Sequence, residues 1–146
     1  MDKEYELKPW SVGKGYLYYE LVRTKTRRTP LEKLIVSKKR NEDIKNLVGQ
    51  IKKIIDYGVQ KSCSACKLEC LDGSLGLYEI KHYAGIYRYL SYIEIEGPTI
   101  VLLYEARGHQ GSGNIHNDIN HVQGMVKEAK ILLEELDETE GIKNNA

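Results

Sequence analysis

The side chains able to move protons or hold phosphate gather in the second half of the chain. His109, His116 and His121 fall in or beside one glycine-rich run, RGHQGSGNIHN, which reads as an exposed loop. An imidazole there titrates near neutrality and can serve as acid or base, although solvated loop histidines would look the same. Lys81 and Arg88 flank a short turn between two strand-like runs, and a cation on a sheet face beside a turn can meet a phosphate held in a groove. The same spacing allows cross-strand ion pairs with Glu79 or Glu94. Cys63, Cys66 and Cys70 lie in CSACKLEC, whose C-x-x-C spacing suits zinc. A structural zinc site usually takes four ligands, a second C-x-x-C is absent, and His82 is the obvious local fourth. Reduced, partly buried thiols with no tightly held metal and no cofactor are therefore the expectation, and a redox motif would open a helix after a strand instead.

The elements that must position these residues centre on Leu77 to Ala106, LYEIKHYAGIYRYLSYIEIEGPTIVLLYEA. Three runs rich in β-branched and aromatic residues are joined at Ala84-Gly85 and Gly97-Pro98, the pattern of an antiparallel meander. Alternation predicts that Glu79, Lys81 and Tyr83 share one face, a chemical one, and that Tyr78, Ile80 and His82 share the other. Upstream, GYLYYELV is a first strand and RTKTRRT a basic turn. Thr29-Pro30-Leu31-Glu32 then supplies an N-cap, a first-turn proline and a glutamate three residues after the cap. That helix should end near Arg40. A second begins at Asn41, with Ile44, Leu47, Val48, Ile51, Ile54 and Ile55 at helical spacing up to Gly58. The two read as a helical hairpin on the sheet. Gln60 to Gly76 reads as a loop, and Ile119 to Leu136 as a terminal amphipathic helix. Residues 1–14 and those beyond about Asp137 carry weak order signals.

With 146 residues the chain suits one domain, and the opening MDKEYELK lacks a secretory pattern. No run reaches a membrane span, so a cytoplasmic protein without membrane partners is expected. The formal charge of +1 is unevenly spread: 16 Lys/Arg against 9 Asp/Glu up to Cys70, and 6 against 12 beyond it. The basic half suits a polyanion, or equally a solvated helix face. Eleven tyrosines and no phenylalanine fit half-buried strand packing as readily as base stacking.

Several strings together resemble the RelE/HigB-like toxins, in particular their phage-derived, HigB-type branch. YYELVRTKTRRTPLEKLI is similar to that branch's first strand, basic turn and proline-led helix, and IKKIIDYGV to its second helix. GLYEIKHYAGIYRYLSY and IVLLY are similar to its central strands, so the likeness spans roughly Tyr16 to Leu136. The resemblance implies an α+β, RelE-like fold: a twisted antiparallel sheet with an N-terminal helical hairpin and a C-terminal helix. It also implies metal-independent cleavage of mRNA, on the ribosome, by attack of a 2′-hydroxyl on the adjacent phosphate. By position Arg88 matches the family's third-strand arginine and Lys81 a basic residue on the second strand, while Tyr83 stands where some members carry another cation. After the IVLL strand the branch continues with a glycine, an aromatic residue and two lysines. This chain reads YEARGHQGSGN instead, leaving Arg107 and His109 to supply the charge.

The reading that follows is the toxin component of a type II toxin–antitoxin pair, an endoribonuclease with mRNA, the ribosome and a cognate antitoxin as partners. Lys81, Arg88, Arg107 and His109 are its expected catalytic residues. Tyr83, Tyr92, His116 and His121 are the expected substrate-binding residues. The alternative is a catalytically inactive RelE-fold module that binds protein or RNA.

Overall fold

The computed structural model describes residues 3–11, 13, 16–27, 29, 41–65, 68–80, 87–96, 98–107 and 114–145. At its centre lies the strand that carries the IVLL run. Ile100, Val101, Leu102 and Leu103 are all buried, which only a strand covered on both faces can achieve. This strand, β6 (Thr99–Arg107), pairs antiparallel with β5 (Tyr87–Glu94), and β5 pairs antiparallel with β4 (Leu77–Ile80). The expected meander is thus present.

Around the meander lie strands β1 (Tyr5–Ser11), β2 (Leu17–Arg23) and β3 (Leu68–Asp72), and helix α1 (Asn41–Ser64). The terminal helix is α2 (Asn114–Asn145). The six strands form one sheet in the order β1-β2-β6-β5-β4-β3. It is mixed and not wholly antiparallel: β2 runs parallel to β6, with Tyr19 opposite Val101 and Glu20 opposite Leu102. Parallel neighbours need a long crossover, and everything from Thr24 to Pro98 lies between these two.

Alternation along the strands divides the apolar side chains into two cores. Tyr18, Tyr78, Ile80, Tyr89, Ile93, Ile100 and Leu102 pack with Leu47, Ile51, Ile54 and Val59 of α1. Leu21, Leu77, Leu90, Tyr92, Val101 and Leu103 pack with Val122, Val126, Ala129 and Leu133 of α2. The helices therefore cover opposite faces. The face of β4 expected to be chemical is closed as well, because all four residues from Leu77 to Ile80 are buried.

Several further expectations change. The chain does not leave the helix at Gly58: it kinks there, at φ 86°, and α1 resumes to Ser64. Val59, Ser62 and Cys63 prolong the buried stripe at helical spacing, with cysteine acting as a small hydrophobe. The stretch read as a loop also holds β3, an edge strand. Its turn is closed by Asp72, whose Oδ1 accepts hydrogen bonds from the Ser74 and Leu75 amides at 3.1 and 3.3 Å. The N-terminal stretch with weak order signals forms β1, whose Trp10 indole N–H donates to the buried Glu20 carboxylate. At the other end α2 begins at Asn114, earlier than expected, and continues past Asp137. The first helix of the hairpin falls on residues 30–40, outside the described residues, as does the turn at Ala84-Gly85.

Candidate functional site

The β5–β6 ladder fixes where the predicted cations can meet. Tyr87 lies opposite Arg107, Arg88 opposite Ala106 and Tyr89 opposite Glu105, while Ile80 at the end of β4 lies opposite Tyr89. Arg88, the backbone of Arg107 and the residue preceding Lys81 therefore share one end of the sheet. Lys81, Tyr83 and His109 lie outside the described residues, as do the side chains of Arg107 and His116.

Arg88 is the member of this group whose surroundings are defined. Its Nη1 donates to Oε1 of Glu79 at 3.1 Å, spanning the β4–β5 pair diagonally. The two ends of this ion pair differ in exposure: the Glu79 side chain is 1% accessible and that of Arg88 35%. A carboxylate so deeply placed is tolerated because a cation reaches it, since an unpaired buried charge would cost several kcal/mol. On the other face at the same end, the buried Tyr89 hydroxyl donates to Glu105 Oε2 at 2.6 Å.

The expected substrate-binding residues do not all join this end. Tyr92 lies four residues along β5 from Arg88, about 13 Å at the usual strand rise. It belongs to the core, 7% accessible, with Lys130 Nζ 5.6 Å from its ring centroid. Burial, reinforced by the nearby Glu94 carboxylate, pushes its hydroxyl up to about 12. His116 and His121 belong to α2, not to a loop. His121 is exposed, its ring 5.0 Å from that of Tyr104 and edge-on at 61°.

Sequence reasoning missed Glu20. Its signal was a lone acid in the apolar string YLYYELV, where two-residue alternation puts it on the face of Tyr18. Burial raises the Tyr18 hydroxyl, with Glu20 adding to the shift. The cysteine region resolves differently. Cys63 is half-buried at the end of α1, and Cys70 is exposed on β3, opposite Tyr78. Burial pushes the Cys63 thiol up, and Cys70 adds to the effect, so Cys63 is held as the protonated, poorly nucleophilic form. Cys66 lies outside the described residues, among which no set of three or more His, Cys, Asp or Glu is arranged to hold a metal. No helix among those residues is long and apolar enough to cross a membrane.

No family model, curated protein or solved structure matches the chain.

What the defined part of the site can do chemically is limited and specific. A guanidinium tethered by one nitrogen to a buried acid, with a third of its side chain facing solvent, presents its remaining donors in a fixed orientation. That suits an oxyanion with two oxygens to share.

Proposed function

We propose that this protein is the toxin of a type II toxin–antitoxin pair, an endoribonuclease that cleaves mRNA on the ribosome. In this reading a 2′-hydroxyl attacks the adjacent phosphate. Arg88, with Lys81 and Arg107, stabilises the charge-rich phosphorane, and His109 transfers a proton. The sequence resemblance suggested the activity. The observation that supports it is the register that sets Arg88 opposite Ala106, beside Arg107, and one residue from the neighbour of Ile80, just ahead of Lys81. Arg88 and the backbone of Arg107 thereby share the end of the sheet at which β4 stops, one residue short of Lys81. The catalysis needs positioned positive charge more than any particular nucleophile on the protein.

A second reading has its own support. Arg88 is already paired with Glu79, and helices cover both faces of the sheet, which favours a module that binds without cleaving. Induced expression separates the two. The toxin reading expects growth arrest by the wild-type chain and relief by Arg88→Ala at equal soluble expression. Harmless accumulation of soluble wild type would favour the binding module.

A further inference from the structure

Glu79 is hard to explain as packing. It sits in a four-residue strand whose other members are Leu77, Tyr78 and Ile80, on the face covered by α2, with 1% of its side chain accessible. Replacing a buried ion pair with apolar residues of similar size is often neutral or stabilising, so core stability alone does not call for an acid here. What the acid does achieve is geometric. It takes Nη1 of Arg88 at 3.1 Å and fixes one corner of the guanidinium, while 35% of the arginine side chain stays accessible.

We propose that Glu79 is a positioning residue that sets the Arg88 guanidinium for capture of an RNA phosphate. This deepens the endoribonuclease reading and rests on it. An unrestrained arginine has many rotamers, and part of that freedom is lost when it grips a ligand. A buried, immobile carboxylate removes that freedom beforehand and keeps the planar donor fork in one plane. A displacement of about 1 Å at a reacting phosphate can lower the rate by about 10²-fold, so the tether matters most in the transition state.

The charge of Glu79 makes the idea sharply testable. If the carboxylate is merely a counter-charge that masks Arg88, Glu79→Gln removes a negative charge beside the cation, and affinity for a polyanion rises. If it is a positioning group, Glu79→Gln lowers both RNA affinity and cleavage although the protein has become more positive. The experiment measures binding of a short single-stranded RNA and single-turnover cleavage of ribosome-bound mRNA by the wild type, Glu79→Gln, Glu79→Asp, Arg88→Ala and the double variants Glu79→Gln/Arg88→Ala and Glu79→Asp/Arg88→Ala. Urea midpoints confirm folding.

The expected result is a fall in cleavage of about 10- to 100-fold for Glu79→Gln, and no further fall when Arg88 is already alanine. Unchanged or tighter RNA binding with unchanged cleavage in Glu79→Gln would overturn the positioning role and leave the endoribonuclease reading standing. So would additive losses in the double variant. If Glu79→Gln does not fold, Glu79→Asp keeps the charge and shortens the tether by one methylene. A loss of cleavage there that disappears in the Arg88→Ala background supports the role, and wild-type cleavage overturns it. A wild-type chain that neither binds nor cleaves RNA would overturn the function itself.

Discussion

Tyr92 shows how one residue's setting decides what its functional group can do. As a strand tyrosine it is a credible stacking platform, yet its ring lies against Gly76 and under Lys130, and its hydroxyl is raised to about 12 from an ordinary 10.0. Burial is the larger cause and the Glu94 carboxylate the next. The sign of the linkage follows from this. Below the unfolded-state value both states hold the proton, and the stability associated with the neutral phenol is fully present. As pH rises through the window from about 10 to about 12, the unfolded chain ionises first and stability is lost. Urea midpoints measured on either side of that window should fall for the wild type and fall less for Tyr92→Phe. Tyr18, shifted in the same direction, supplies a residual slope. An identical pH dependence in Tyr92→Phe would remove this residue from the alkaline transition.

At the scale of elements, two glycines end or bend structure for different reasons. Gly58 adopts φ 86° inside α1, and a Cβ added there meets nothing within 4 Å. Gly76 adopts φ 73° in the turn before β4, and a Cβ there would lie 2.8 Å from Cε1 of Tyr92. Gly58→Ala should therefore destabilise only through its backbone angles, φ 86° with ψ 167°, by about 1–3 kcal/mol. Gly76→Ala should add a steric penalty against a buried ring, for roughly 2–5 kcal/mol in all. Chemical denaturation of the two variants ranks them, and an equal or reversed order would show that the turn relaxes around the added methyl.

The same two positions mark how far the elements were legible in the sequence. A glycine after a helical stripe signals an end, but whether the chain stops or kinks depends on what the next turn can bury. Val59 and Cys63 make that decision by tertiary contact with the core. β3 and β1 were missed for a related reason. Each is an edge strand with exposed or half-exposed positions, so neither LECLD nor YELKPWS carries the alternation that a half-buried strand leaves in sequence. The meander was legible because β4, β5 and β6 are buried and rich in tyrosine, isoleucine, leucine and valine. Arg88's pairing with Glu79 was visible only as one of two options, since cross-strand spacing does not fix the diagonal. The position of Tyr92 was not legible at all, because it depends on α2 returning over β5.

For the whole molecule the question is where a polyanionic partner would sit. The antitoxin of the proposed pair is expected to lay an acidic segment on the basic stretch from Arg23 to Lys53. The fold supplies an internal rival for that place, because β1 pairs antiparallel with β2 and brings its own acids alongside the basic turn. Arg23 Nη1 lies 3.6 Å from Glu4 Oε1, and Arg27 pairs with Glu6. All four side chains are between 45% and 67% accessible, so each pair contributes about 0–1 kcal/mol and a partner's carboxylates can displace it. Joint replacement Glu4→Gln/Glu6→Gln should therefore leave the fold's stability nearly unchanged. It should also strengthen binding of the proposed acidic antitoxin by roughly 3- to 10-fold at low salt, with the gain shrinking as salt screens it. Titration of the purified pair at two ionic strengths reads this directly. A gain that persists at high salt would place the effect in shape and not charge, and no gain at low salt would move the partner's site away from the basic turn.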